Sequence, residues 1–165
     1  MKLALSYFYQ IRNFKPYMIP VSTAFGDPAW YHAGLGKTYN YLDKRGVVNG
    51  LRCEELHGDD SCNSEVEVSC PCEYHKIGYP GGCPAMARYR QHLEGLNLDS
   101  FMNRADTAAN NIQACLGFKE EPIIVLMVHE APNNPCSERQ SLLDYFNSHN
   151  IPIEELKYPI KENYT

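Results

Sequence analysis

A six-residue apolar run, Ile123-Ile124-Val125-Leu126-Met127-Val128, limits what this chain can fold into more than any other stretch. It is too short for a helix, rich in β-branched residues and without polar alternation, so it reads as a strand buried on both faces. Strands of that kind belong to parallel sheets covered by helices on either side, which places the chain in the α/β class. A polar loop follows, His129-Glu130-Ala131-Pro132-Asn133-Asn134-Pro135-Cys136-Ser137-Glu138-Arg139. After it comes a helix lined by Leu142, Leu143, Phe146 and His149 and ended by Asn150. In open α/β sheets the loop leaving the carboxyl end of a central strand is where ligands bind. The loop is therefore the place to look for function.

The rest of the chain supplies partners for that strand. Leu3 to Phe8 forms a first strand, Ile11 to Tyr17 a crossover, and Met18 to Thr23 a second strand. Pro20 lies inside that second strand, and a proline there marks an edge position or a strand start. Pro84 suits a first helical position, and Met86, Tyr89, Leu93 and Leu96 make one apolar stripe. Asp99 is a cap for a longer helix that Gly117 stops. Phe101, Ala105, Ala108, Ile112 and Cys115 recur along it at helical spacing, which predicts a core-facing Cys115. Either Ser137 with Gln140 as a capping box, or Asn134 with Pro135, opens the last long helix, and both place Cys136 in its first turn. Ile151 to Leu156 is a short final strand.

The chain has 165 residues, enough for one domain with a substantial core. Charged residues at 21% and hydrophobic ones at 44% give the balance of a globular chain rather than a disordered one. No apolar run approaches the roughly 20 residues of a membrane helix, and the first residues lack the apolar core of a signal peptide. A cytoplasmic protein with no membrane association is the expectation. A net charge of −5 argues against nonspecific binding of duplex DNA, which releases counterions from a basic surface. Gly36-Lys37-Thr38 suggests a phosphate loop, but that pattern needs glycine at the position occupied by Tyr31, so a turn is expected instead.

Five of the seven cysteines crowd between Cys53 and Cys83, in a stretch poor in apolar residues. In a chain expected to be cytoplasmic they read as metal ligands or reactive thiols rather than disulfides. Cys62, Cys70, Cys72 and Cys83, with His57 and His75 nearby, suit a tetrahedral structural zinc that orders an insertion of about residues 50–83. The spacing is not the paired C-x2-C form. An iron–sulfur cluster fits the same thiolates, Cys53, His57 or His75 could replace one of them, and free thiols are the ordinary alternative.

At the loop, Cys136 in a first turn would have a stabilised thiolate, and Arg139 could hold a phosphate or carboxylate bidentately. Glu130 is a candidate acid or base, as is His129. Ser6, Tyr7 and Ser22 fall at strand ends, and Trp30 could stack a base. The ordinary alternative is a structural ion pair between Glu130 and Arg139 with Cys136 merely buried.

The chain resembles the domain of unknown function numbered 488, particularly its phage and Firmicute branch. The resemblance rests on Ser6-Tyr7-Phe8, Ile19-Pro20-Val21-Ser22, Pro28-Ala29-Trp30-Tyr31, the strand ending in His129-Glu130, and Asn134-Pro135-Cys136-Ser137-Glu138-Arg139. Tyr89-Arg90-Gln91 with Leu93 is similar to that branch too. Typical members carry Cys-His-Arg where this chain has Ser137-Glu138-Arg139, so the arginine carries over onto Arg139 while the cysteine and histidine do not. The resemblance implies an α/β fold with its site at this loop and supplies no reaction.

These readings converge on one α/β domain spanning 1–165, with a mostly parallel sheet of about five strands, flanking helices and a metal-braced insertion. The expected function is binding, with processing as an extension, of a nucleotide-like or other anionic ligand. Glu130, Cys136 and Arg139 would supply the chemistry, and Ser6, Tyr7, Ser22, Trp30 and Arg139 the pocket. The rival is a non-catalytic interaction protein, such as a phage factor that occupies a host protein or sequesters a host signal.

Overall fold

The computed structural model describes residues 1–24, 28, 30–31, 54–57, 84–132 and 137–159. Four strands and three helices run in the order β1 (Lys2–Tyr7), β2 (Met18–Ser22), α1 (Pro84–Glu94), α2 (Leu98–Leu116), β3 (Ile123–Val128), α3 (Arg139–Ser148) and β4 (Ile153–Glu155). The strands form one sheet ordered β2-β3-β1-β4, and every pairing is parallel. The sheet among the described residues thus has four strands where about five were expected.

The apolar run is β3, and all six of its residues are buried. It lies between β1 and β2, so its backbone is paired on both edges and its side chains are covered on both faces. Burial of that kind is the main stabilising term of a parallel sheet. Pro20 sits opposite Val125 in β2, an edge strand of this sheet, where a missing N–H removes no ladder bond from a further strand. The crossover from β1 to β2 is a 3-10 helix, Phe8–Asn13, rather than an irregular link.

The helices follow their sequence stripes, with two exceptions. Tyr89 and Leu93 of α1, Phe101, Ala109 and Ile112 of α2, and Leu142 and Phe146 of α3 enter the core. Cys115 does not; it is exposed. At that point the stripe has rotated past the sheet, because a straight helix drifts relative to a strict repeat. His149 is likewise exposed and caps α3 instead of packing beneath it.

Helix ends also depart from expectation. Asn97, not Asp99, is the N-cap of α2, accepting from the Ser100 N–H at 3.1 Å. Gly117 closes α2 in the left-handed conformation at φ 73°, with its N–H on the Gln113 carbonyl. Helix α3 begins at Arg139, and Ser137 Oγ accepts from the N–H of Arg139 at 3.2 Å, so no capping box with Gln140 forms. The reading of Cys136 in a first turn falls on a residue outside the described ones.

The cysteine-rich insertion is described only at residues 54–57. There Leu56 is fully buried, its carbonyl accepts from the Tyr89 hydroxyl at 2.7 Å, and Glu55 forms an ion pair with Arg104. This part of the insertion is anchored by an apolar side chain. Cys62, Cys70, Cys72 and Cys83 lie outside the described residues, as do Cys53 and His75. No described helix is long and apolar enough to cross a membrane.

Candidate functional site

The strand order locates the site. From β1 the chain travels to β2 on one side of the sheet; from β3 it travels to β4 on the other. The two central strands are adjacent, and the right-handed crossover rule sends their outgoing connections to opposite faces. The carboxyl ends of β1 and β3 are therefore the topological switch point, where a crevice opens in folds of this class.

Register brings several of the sequence-selected residues there. Ser6 and Ser22 both pair with Met127, one from each side, so all three share a row near the strand ends and Tyr7 falls one step on, opposite Val128. The two serines are fully buried and committed to the protein. Ser6 Oγ shares a hydrogen bond with the Tyr158 hydroxyl, and Ser22 Oγ accepts from the N–H of Ala24 at 3.2 Å. The Tyr7 hydroxyl accepts from Gln10 Nε2 at 2.6 Å. Burial pushes the Tyr158 hydroxyl up to about 12, the Ser6 hydrogen bond opposing that rise and Tyr7 and Glu155 adding to it. Tyr158 is thus neutral and structural, reaching across the end of β1 with its ring at right angles to Tyr7.

Just beyond β3 the chain presents His129 and Glu130. The His129 ring lies against Phe8, which in turn meets Tyr31 edge-on, both at 4.9 Å between centroids. Trp30 is 46% exposed while its neighbour Tyr31 is fully buried, so the pair anchors by the tyrosine and offers the indole.

Arg139 is buried and fully oriented. Its Nε donates to Glu155 Oε1 at 2.8 Å, Nη1 to the Ala131 carbonyl at 2.9 Å and Nη2 to the Glu130 carbonyl at 2.6 Å. The alternative ion pair between the Arg139 and Glu130 side chains does not form; Glu155, from β4, takes that place. Arg139 meets Glu130 through the backbone. A planar fork with five donors in fixed directions suits such a clamp, tying the end of β3, the start of α3 and β4 into one body.

That clamp leaves two carboxyls beside it. Glu130 Oε2 is buried and has no hydrogen-bond partner. Glu138, half-buried immediately before α3, is raised to about 7, by burial first and by the Glu130 carboxylate second. Its own backbone N–H and the Arg139 guanidinium pull the other way and do not prevail. Glu138 is therefore partly protonated at neutral pH, an acid beside an acceptor.

Of the residues selected from sequence, Ser6, Tyr7, Ser22, Glu130 and Arg139 gather at one end of the sheet. Trp30 stands beside that end through Tyr31, and Cys136 lies outside the described residues. Sequence reasoning missed Glu138 and Glu155. Glu138 sat in plain view between Cys136 and Arg139, and its burial and the nearby Glu130 charge, neither local in sequence, give it meaning. Glu155 carried no local signal, since only the crossover through α3 brings it to Arg139. Among the described residues, no group of three or more His, Cys, Asp or Glu side chains is arranged to hold a metal. The fold and this site define an α/β protein with a parallel sheet. No protein-family model, curated protein or solved structure matches the chain.

Proposed function

We propose that the carboxyl end of the sheet binds a small nucleotide-like ligand, with Glu130 as the group that recognises it. The observation that carries this reading is the buried, unpartnered Oε2 of Glu130 at the topological switch point. A buried acceptor without a donor costs roughly 1–3 kcal/mol, and a ligand N–H or O–H would offset that cost. Nucleobase and sugar edges supply such donors, and the exposed Trp30 indole offers a stacking face. Acid–base chemistry here would use Glu138, whose carboxyl is raised by burial to about 7. Arg139 supports the site by holding the Glu130 backbone, in place of the anion-gripping role its type suggested.

The test is a thermal-shift series with nucleosides, nucleotides, sugar phosphates and inorganic phosphate. Stabilisation by nucleosides as well as nucleotides, lost in Glu130→Gln, is the expected result. A response to inorganic phosphate alone, or none in the series, rejects it.

A second reading has its own support. Tyr9 is 57% exposed with the Arg12 guanidinium stacked 4.1 Å from its ring centre, Trp30 is also exposed, and Ser6, Tyr7 and Ser22 are satisfied internally. Exposed aromatics with a stacked arginine are the residue types that anchor protein interfaces. On this reading the chain is a non-catalytic interaction protein, and a bound host protein would be lost from Tyr9→Ser and Trp30→Ser variants while nucleosides have no effect.

A further inference from the structure

We propose that the crossover from β1 to β2 docks an acidic segment of another protein through Tyr9, Arg12 and Lys15, with Trp30 on the adjoining segment. The crossover is the 3-10 helix Phe8–Asn13, and about three residues per turn align its side chains in rows. Phe8 and Ile11 form the buried row. Gln10 and Asn13 form a polar row, with Asn13 Nδ2 donating to Gln10 Oε1 at 2.6 Å. Tyr9 and Arg12 form the third row, both exposed, with the guanidinium carbon 4.1 Å from the ring centre. Stacking uses the face of a guanidinium and leaves its in-plane N–H donors for a carboxylate. Among the described residues no Asp or Glu pairs with Arg12, nor with Lys15, which is exposed just past the helix. Phe8 and Tyr31, the buried neighbours of Tyr9 and Trp30, meet edge-on at 4.9 Å, which brings the segment carrying the indole against the crossover.

The charge distribution sets the occupant. Residues 1–26 carry Lys2, Arg12 and Lys15 and no Asp or Glu, in a chain whose net charge is −5. Lys2 lies at the start of β1 and pairs with Glu121 at 3.9 Å, which leaves Arg12 and Lys15 as unmatched positive charge beside exposed aromatics. Tyrosine, tryptophan and arginine anchor protein interfaces, and complementary charge steers and aligns the partner. A nucleic acid gains little here. Two cations release few counterions, with a salt slope of about −0.7 per phosphate contact on single strands, and the net charge opposes the rest. Such docking rests on the second reading of function, the non-catalytic interaction protein, and adds to it the chemistry of the partner.

Trp30 is the single tryptophan of the chain, so its emission reports on this surface. The full chain is titrated with a short peptide of alternating Glu and Leu, with its Gln-Leu analogue and with oligothymidylate. The Glu-Leu peptide is expected to shift Trp30 emission saturably to shorter wavelength, and to bind roughly tenfold or more weakly in Arg12→Gln and in Lys15→Glu. Both side chains are exposed, so neither change threatens the fold. Equal binding of the Gln-Leu peptide overturns the acidic partner and leaves an interaction surface standing. A stronger response to oligothymidylate assigns the surface to single-stranded nucleic acid and overturns the proposal, as does binding left unweakened in either variant. No response to either peptide overturns it too, and the Tyr9→Ser and Trp30→Ser variants then decide the underlying reading separately.

Discussion

Arg139 at the first residue of α3 and Glu155 at the last residue of β4 are joined by a 2.8 Å hydrogen-bonded ion pair. Sixteen positions apart in sequence, they close the β3–α3–β4 unit at the carboxyl end of β3. The guanidinium's other donors point back to the carbonyls of Glu130 and Ala131, so a single side chain holds the start of the loop as well as β4.

Arg139→Ala is expected to destabilise the protein by about 3–5 kcal/mol, because it strands a partly buried Glu155 and two carbonyls. For a chain of this size the melting temperature should fall by roughly 10 °C or more. Arg139→Lys should recover only part of this, since an ammonium cannot reproduce the fork. A melting temperature within a degree of the unaltered protein would show that the clamp adds nothing to stability.

Glu138→Gln is expected to stabilise the protein, and more at pH 8 than at pH 5. The folded protein holds this proton up to about pH 7, whereas an ordinary glutamate releases it near 4.5. Between those values the native state binds more protons than the unfolded chain, so stability falls as pH rises. The full cost, at most about 3 kcal/mol, is reached above pH 7 and is absent below 4.5. Melting curves of both proteins across pH 4 to 8 should converge at the acid end.

Cys115 is expected to alkylate in the folded protein nearly as fast as in the denatured chain, because it is exposed at the end of α2. A stripe-based reading places it in the core, where reaction would wait for unfolding. Peptide mapping after brief treatment with iodoacetamide distinguishes the two.

A structural zinc held by Cys62, Cys70, Cys72 and Cys83 is a proposal from their crowding alone. Metal analysis of protein purified without added zinc should return about one zinc per chain, and chelation should lower the melting temperature. Protein free of zinc and iron, with all thiols titratable, would reject it.

Sequence by itself determined the elements whose signal is local. Ile123–Val128 could only be a doubly buried strand, since six apolar residues in a row leave no face for water. Pro20 marked either an edge position or a strand start through the N–H it lacks, and Tyr89, Leu93, Phe101, Ile112, Leu142 and Phe146 declared their helix faces by spacing. That a polar loop leaves the carboxyl end of β3 was legible for the same reason. Its internal wiring was not. The pairing of Arg139 with Glu155, the coupling of Glu130 to Glu138 and the hydrogen bond of Ser6 with Tyr158 each join residues on different elements. Which elements meet is set by the strand order β2-β3-β1-β4, and that order follows from packing the whole sheet rather than from any one segment. A buried charge takes its partner from whatever the fold places nearest, so tertiary structure alone decided that Arg139 would brace the loop.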